Sequence, residues 1–223
     1  MRIYTAFLII TLGCLQSINA TSADSISTIY KDGEFKSRCQ FTVRATEANV
    51  CEVEEKLIYD FHNTPGNLFN WALKDLGLQD KKKNDIIFIL KSSVTDKKTN
   101  ITRGKFDIII PLVTTFNDVI VDAIVSKTKC NNRENSVTAE IIYSSLLLKH
   151  GLGILTITPL KNNEFLFTTN VSIKFGWFFN IFITRRRYKS IVEWRIKKFT
   201  ENMKVECEKM HEQSITRSKT TEK

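Results

Sequence analysis

Residues 175–210 hold the pattern that most restricts this chain. They open with an aromatic run, Phe175-Gly176-Trp177-Phe178-Phe179-Asn180-Ile181-Phe182-Ile183, and cross Arg185-Arg186-Arg187. They continue with Val192, Ile196, Phe199, Met203, Cys207 and Met210 at spacings of three and four. Such spacing lines apolar side chains along one stripe of an α-helix. A helix with one apolar stripe needs an apolar surface to cover, and the chain before it reads as strands. The sequence therefore predicts a long C-terminal helix, Tyr188 to Met210, laid on the greasy face of a sheet.

The strand signal begins where the hydrophobic period changes to two. Candidate strands are Ile86 to Val94, Gly104 to Leu112, Val119 to Thr128, Val137 to Leu148, Gly153 to Thr158 and Glu164 to Lys174. In the last, Phe165, Phe167, Thr169, Val171 and Ile173 face one way and Leu166, Thr168, Asn170, Ser172 and Lys174 the other. Turn signals separate the strands at Asp96 to Asn100, Thr115 to Asp118, Cys130 to Asn135 and Lys161 to Asn163. Connections this short imply an antiparallel meander. Upstream, Ser37 to Ala45 alternates as a strand with Cys39, Phe41 and Val43 on one face. Asn49 followed by Glu52 predicts a helix start, with Val50, Val53, Leu57 and Phe61 on its apolar side. Pro65-Gly66 ends that helix, and Leu68, Trp71, Ala72 and Leu76 suggest a second short one. The expected class is α+β: a curved antiparallel sheet wrapped around a long C-terminal helix, with two short helices after the first strand.

Met1 to Ala20 reads as a signal peptide, with Arg2, an apolar core from Tyr4 to Leu15 and a small residue at Ala20. Lipid attachment at Cys14, after Gly13, is the alternative. The expected boundaries are a signal at 1–20, a flexible leader at 21–36, one domain at 37–211 and a polar tail at 212–223. A net charge of +9 favours acidic partners such as anionic lipid headgroups or glycans; export argues against nucleic acid. Cys39, Cys51, Cys130 and Cys207 remain after cleavage and allow two disulfides in three pairings, and an exported chain is expected to form at least one. Cys207 lies on the helix stripe and could equally stay a buried thiol. With three histidines and no CxxC spacing, neither a metal site nor a cofactor is expected.

Asn49 to Trp71, with Asp60-Phe61 and the tryptophan after them, resembles the first strand-to-helix passage of the START-like (SRPBCC) superfamily. Phe175-Gly176, the aromatic run and Val192 to Met210 resemble that superfamily's C-terminal grip helix. The resemblance covers most of the chain in topology. It implies a helix-grip fold with a hydrophobic cavity for a lipid-like or aromatic ligand; some relatives act as cyclases or hydratases. An export signal and four further cysteines depart from the family's mainly intracellular pattern.

No catalytic constellation stands out. Glu134, Glu140 and Glu164 do not pair by spacing, His62 and His150 sit at helix and turn borders, and Ser144-Ser145 lacks a glycine-framed elbow. Three functional expectations follow. The first is a non-enzymatic binding protein whose ligand lies between sheet and helix against Phe165, Phe167, Val171, Trp177, Ile196, Phe199 and Met203. The second is attachment to an anionic membrane surface through Trp177, Phe178, Arg185, Arg186 and Arg187, rings at headgroup depth and cations on phosphates. The third is a cyclase- or hydratase-like enzyme, which requires an acid or histidine in a cavity with a perturbed pKa. The aromatic run and the helix stripe can also be read as ordinary core.

Overall fold

A computed structural model describes residues 25–63, 86–128 and 135–221. In chain order these form β1 (Ser25–Lys31), β2 (Glu34–Arg44), α1 (Glu47–Asn63), β3 (Ile87–Asp96), β4 (Ile101–Ile110), β5 (Thr114–Lys127), β6 (Asn135–Ser144), β7 (Leu148–Pro159) and β8 (Glu164–Phe175). Then follow α2 (Trp177–Phe182), α3 (Arg185–Tyr188), a π-helical turn (Lys189–Glu193) and α4 (Trp194–Thr221). The strands make one antiparallel sheet in the order β1-β2-β8-β7-β6-β5-β4-β3, left open at β1 and β3. α4 packs on the concave face, touching β2 and α1. This is the α+β helix-grip arrangement that the order of sequence signals implied.

Alternation builds the sheet's inner face. On β2, Phe35, Ser37, Cys39, Phe41 and Val43 are buried; on β8, Phe165, Phe167 and Thr169 are. These strands pair directly, with Phe41 opposite Phe167 and Cys39 opposite Thr169. The Phe41 and Phe167 rings stack with centroids 4.9 Å apart, and such aromatic cross-strand pairs stabilise a sheet beyond their buried area.

α1 begins with a reciprocal cap. The Asn49 N–H donates to Thr46 Oγ1 (3.2 Å), and the Thr46 N–H donates to Asn49 Oδ1 (3.3 Å). This is a capping box with asparagine in the third helical position, so the cap is Thr46 and not Asn49 as expected. Val50, Val53, Leu57 and Phe61 are buried as the helical period requires.

The start of the C-terminal rod is pinned by Tyr188. Its ring lies flat on Phe35 (4.0 Å between centroids, 3° between planes). Its hydroxyl is 3.0 Å from Ser37 Oγ, which is in turn 2.8 Å from Thr28 Oγ1 on β1. Just before, Gly176 lets the backbone turn out of β8 into α2: a Cβ there would sit 2.4 Å from the Leu146 carbonyl oxygen. No other residue type fits that approach.

Several expected boundaries shift. The leader expected at 21–36 contains an edge strand, β1, whose Ile26 pairs with Cys39 and whose Tyr30 pairs with Phe35. Its inward side chains, Ile26, Thr28 and Tyr30, are only half-buried, so the alternation is muted. The single strand expected from Val137 to Leu148 breaks at residues 145–147, where Ser144 Oγ accepts from the Leu148 N–H (3.1 Å). The turn expected at Thr115 to Asp118 lies within β5 beside a register shift at Phe106 to Ile108; the real turn is at residues 111–113. The polar tail expected from 212 is helical to Thr221. The aromatic run forms its own short helix, because Ile183 and Thr184 interrupt the rod. Met1 to Ala20, Cys14, the helix expected at Leu68 to Leu76, and Cys130 lie outside the described residues. Cys39 and Cys207 are both buried and neither is in a disulfide, so the pairing expected of four cysteines does not extend to these two.

Replacing Tyr188 by alanine should cost about 3–5 kcal/mol through the lost stack and the void it leaves. Tyr188→Phe should cost only about 1 kcal/mol, since Ser37 keeps its bond to Thr28. Urea denaturation of both variants checks this; equal costs would mean that the ring does not hold the rod.

Candidate functional site

The core is divided. One buried cluster gathers Phe41, Val43, Val50, Val53, Leu57, Val137, Leu155, Ile157, Phe165, Phe167, Met203 and Cys207. The other gathers Phe35, Ile108, Ile110, Val119, Leu147, Phe175, Phe179, Ile183 and Tyr188. The seam is visible along single elements. On β8, Phe165 and Phe167 belong to the first cluster and Phe175 to the second, with Thr169 and Val171 between. Along the rod, Tyr188 belongs to the second and Met203 and Cys207 to the first, with Arg195, Ile196 and Phe199 between.

A cavity of about 270 Å³ lies under this middle stretch of the rod, at the edge of the first cluster, to which Leu57, Val137 and Leu155 of its lining belong. Its floor follows from register. Val125 pairs with Ala139, Ala139 with Gly153, and Gly153 with Val171, a row of small side chains across four strands. The next row in the same facing is Val137, Leu155 and Thr169. Leu57 and Phe61 of α1 and Arg195, Ile196 and Phe199 of α4 close it from above. A row of small residues under a rod of ordinary thickness leaves a gap, since apolar interiors otherwise pack to crystal density. Gly153 is the extreme case. A Cβ built there would meet nothing nearer than the Ala139 carbonyl oxygen at 3.9 Å.

Two polar side chains join the lining. Thr169 is buried, and its hydroxyl has no hydrogen-bond partner, which is costly unless something in the cavity meets it. Arg195 lies on α4, its guanidinium 4.2 Å from the Trp194 ring centroid. Among the described residues no acid or histidine lines the space. The strongly perturbed acid among the described residues, Glu54 on α1, is 1% exposed with neither carboxylate oxygen hydrogen-bonded. Burial raises its pKa to about 7. Among neighbouring charges, Lys127, held in an ion pair by Glu55, lowers it and Glu55 raises it. Glu54 sits beside the first cluster, not in the cavity wall. The same burial, with Glu208, Glu206 and Glu54 nearby, pushes the Cys207 thiol up to about 12.

The residues expected to bind ligand scatter across this plan. Val171, Ile196 and Phe199 line the cavity. Phe165, Phe167 and Met203 are buried in the first cluster beside it. Trp177 is 72% exposed on α2, and its ring packs edge-on against Phe178 (5.8 Å). Arg185 and Arg186 are exposed and Arg187 half-buried. Arg187 Nη1 donates to the Phe182 carbonyl (3.1 Å), and Arg185 lies over the Tyr30 ring (5.3 Å). The missed lining residues are Leu57, Phe61, Val125, Val137, Ala139, Gly153, Ile154, Leu155, Thr169 and Arg195. A run of Ala, Gly and Val on three separate strands becomes a signal only once their pairing is known. Among the described residues no cluster of three His, Cys, Asp or Glu could hold a metal, and no helix is long and apolar enough to cross a membrane.

No family model and no curated protein matches the chain. Among solved structures it is similar to a START superfamily protein from Mycobacterium smegmatis, with 7% identity over 78% of this chain and 98% of that one and a TM-score of 0.44. It is similar to truncated norcoclaurine synthase from Thalictrum flavum, with 9% identity over 82% and 96% and a TM-score of 0.45. The di-domain ARO/CYC StfQ from the steffimycin biosynthetic pathway gives 9% identity over 79% of this chain and 52% of that one, with a TM-score of 0.48. The helix-grip description rests on the strand order and the seat of α4, not on these likenesses.

Glu54 makes stability depend on pH. The unfolded carboxyl ionises near 4.5, whereas the folded one keeps its proton to about 7. The folded state therefore binds the extra proton between those values, and stability falls as pH rises through that window. The loss from this site reaches roughly 3 kcal/mol above pH 7. Glu54→Gln should flatten the fall: chemical denaturation at pH 5 should barely separate the two proteins, while at pH 8 the variant should be clearly the more stable.

Proposed function

We propose that the chain is a non-enzymatic binding protein that holds a small lipid-like ligand in the seam between sheet and α4. The observation that carries this is the row Val125-Ala139-Gly153-Val171, which leaves about 270 Å³ open under the rod. That volume is near the lower end of ligand pockets, which suits one short acyl chain or a compact ring system. The lining supports an amphipathic ligand over a plain hydrocarbon. An acceptor on the ligand would meet the Thr169 hydroxyl, and an acidic head would sit favourably by Arg195, whose planar donors suit a carboxylate or phosphate. Val171, Ile196 and Phe199 are the contacts anticipated from the sequence, joined by Gly153, Thr169 and Arg195.

Export accompanies this reading, on the strength of the apolar stretch from Tyr4 to Leu15 behind Arg2. A Cys51–Cys130 disulfide would then form in an oxidising compartment, the other two cysteines being buried and outside any disulfide. Alkylation of the folded, unreduced protein should label none of the four. Denaturation should expose Cys39 and Cys207, and reduction should be needed for Cys51 and Cys130.

Gly153→Leu tests the cavity itself. Its side chain enters open space, so folding should be little changed by circular dichroism. Binding of a fluorescent fatty-acid probe should weaken by at least about tenfold, the factor set by roughly 1.4 kcal/mol of lost contact. Unchanged probe affinity in the folded variant, or no probe binding and no co-purified lipid in native mass spectra of the parent, would defeat the proposal.

A further inference from the structure

Large apolar side chains stand in water at one end of the molecule. Trp177 and Ile181, one helical turn apart on α2, are 72% and 65% exposed, while Phe179 on the opposite side is fully buried. Phe116 anchors the β4–β5 turn against this helix, 5.1 Å from the Phe178 ring and 5.3 Å from Phe179. That turn carries Leu112 and Val113, 98% and 55% exposed. Leu112 is also held at a φ of +65°, a left-handed conformation that costs a bulky residue about 1 kcal/mol. Neither the exposure nor the backbone strain benefits the free protein, and exposed apolar side chains on two segments joined through Phe116 are the kind of surface that marks a contact site.

Cations border the patch. Thr184 caps α3, its Oγ1 accepting the Arg187 N–H at 3.3 Å. Arg185, Arg186 and Arg187 thus occupy the first turn of the rod, where the helix dipole already presents positive charge. None of the three forms an ion pair with a described residue. The acids nearest the β4–β5 hairpin, Asp107 and Asp118, are both engaged by Lys91 (3.6 and 3.0 Å). An anion would relieve the arginines. A second copy of this chain would instead bring its own arginines against them, because a twofold contact joins like patches.

We propose that this end docks on an anionic lipid bilayer, with Leu112, Val113, Trp177 and Ile181 entering the interface and Arg185 and Arg186 on headgroup phosphates. Docking is independent of the cavity, so either property can fail without the other. The test is co-flotation of the full chain with vesicles of phosphatidylcholine alone or mixed with phosphatidylglycerol. The full-length background keeps any contribution of residues 1–20 common to every protein compared. Leu112→Asn suits the left-handed backbone and Trp177→Ser lies on the surface, so both variants should fold. Each should lower partitioning onto the mixed vesicles about tenfold. Arg185→Glu with Arg186→Glu should abolish the preference for mixed over neutral vesicles, as should high salt. Variants that float like the parent would overturn the proposal. So would a parent that shows no preference for anionic vesicles. Self-association of the parent that Trp177→Ser disrupts, without a matching change in flotation, would assign the patch to a second copy and also overturn it.

Discussion

Everything in this molecule depends on the contact between the inner face of an open, curved sheet and the rod that begins at Arg185. An eight-stranded antiparallel sheet with one apolar face cannot stand alone in water. Here the cover comes from one direction and is fastened at its beginning. The Tyr188 ring on Phe35 and the hydroxyl chain from Tyr188 through Ser37 to Thr28 tie the rod to the two strands at one edge of the sheet. Met203 and Cys207, both fully buried, seat it again about four turns later, at 3.6 residues per turn. Between the two fastenings the rod spans the seam, and its height there is set by its ends. The side chains beneath cannot draw it closer, so small residues under it leave open space in place of a denser core.

That division explains where polarity is tolerated. Thr169, whose hydroxyl has no partner in the protein, faces the cavity together with Arg195. Glu54 lies in the first cluster, and its environment answers by keeping the proton on. A buried carboxyl without partners is otherwise among the costlier features a core can carry.

Much of the architecture was legible because its signals are local. The period of two in β8, the 3–4 spacing of the rod and the apolar face of α1 each report which side of an element is buried. What escaped was set by partners distant in sequence. β1 alternates only weakly, because an edge strand buries its inward side chains on one flank alone; its existence is decided by Phe35 and Cys39 opposite it. The break at residues 145–147 is hidden by Leu146 and Leu147, whose apolarity suggests a continuing strand while Ser144 and Gly176 shape a turn. The cap was placed three residues late because Asn49 is a good capping residue, and Thr46 is recognisable only from the reciprocal bonds. The cavity was anticipated as a consequence of the fold, but its floor was not. Val171, Ile196 and Phe199 lie on strong stripes and line the cavity. Phe165, Phe167 and Met203 lie on the same stripes yet pack solidly, since a stripe says that a residue faces inward and not what stands opposite. Ala139 and Gly153 carry no signal as single residues, and only strand register brings them into one row.

The π-helical turn at Lys189–Glu193 explains how one rod serves both clusters. From Tyr188 the inward residues run Tyr188, Val192, Ile196, Phe199, Met203, Cys207, so the first two steps are both four residues. At 100° per residue each such step overshoots a full turn by about 40°, and two in succession would carry Ile196 well off the line through Tyr188. A turn hydrogen-bonded to the fifth residue takes up more residues per revolution, and it absorbs that drift over the span from Tyr188 to Trp194. Downstream, steps of three, four and four residues from Ile196 to Cys207 make up about three turns of ordinary α-helix, so the stripe stays straight there. The insertion thus lies immediately before Arg195, Ile196 and Phe199, the three rod residues that roof the cavity. A rod without it could hold Tyr188 on Phe35 or Met203 in the first cluster, but would roof the seam with different side chains.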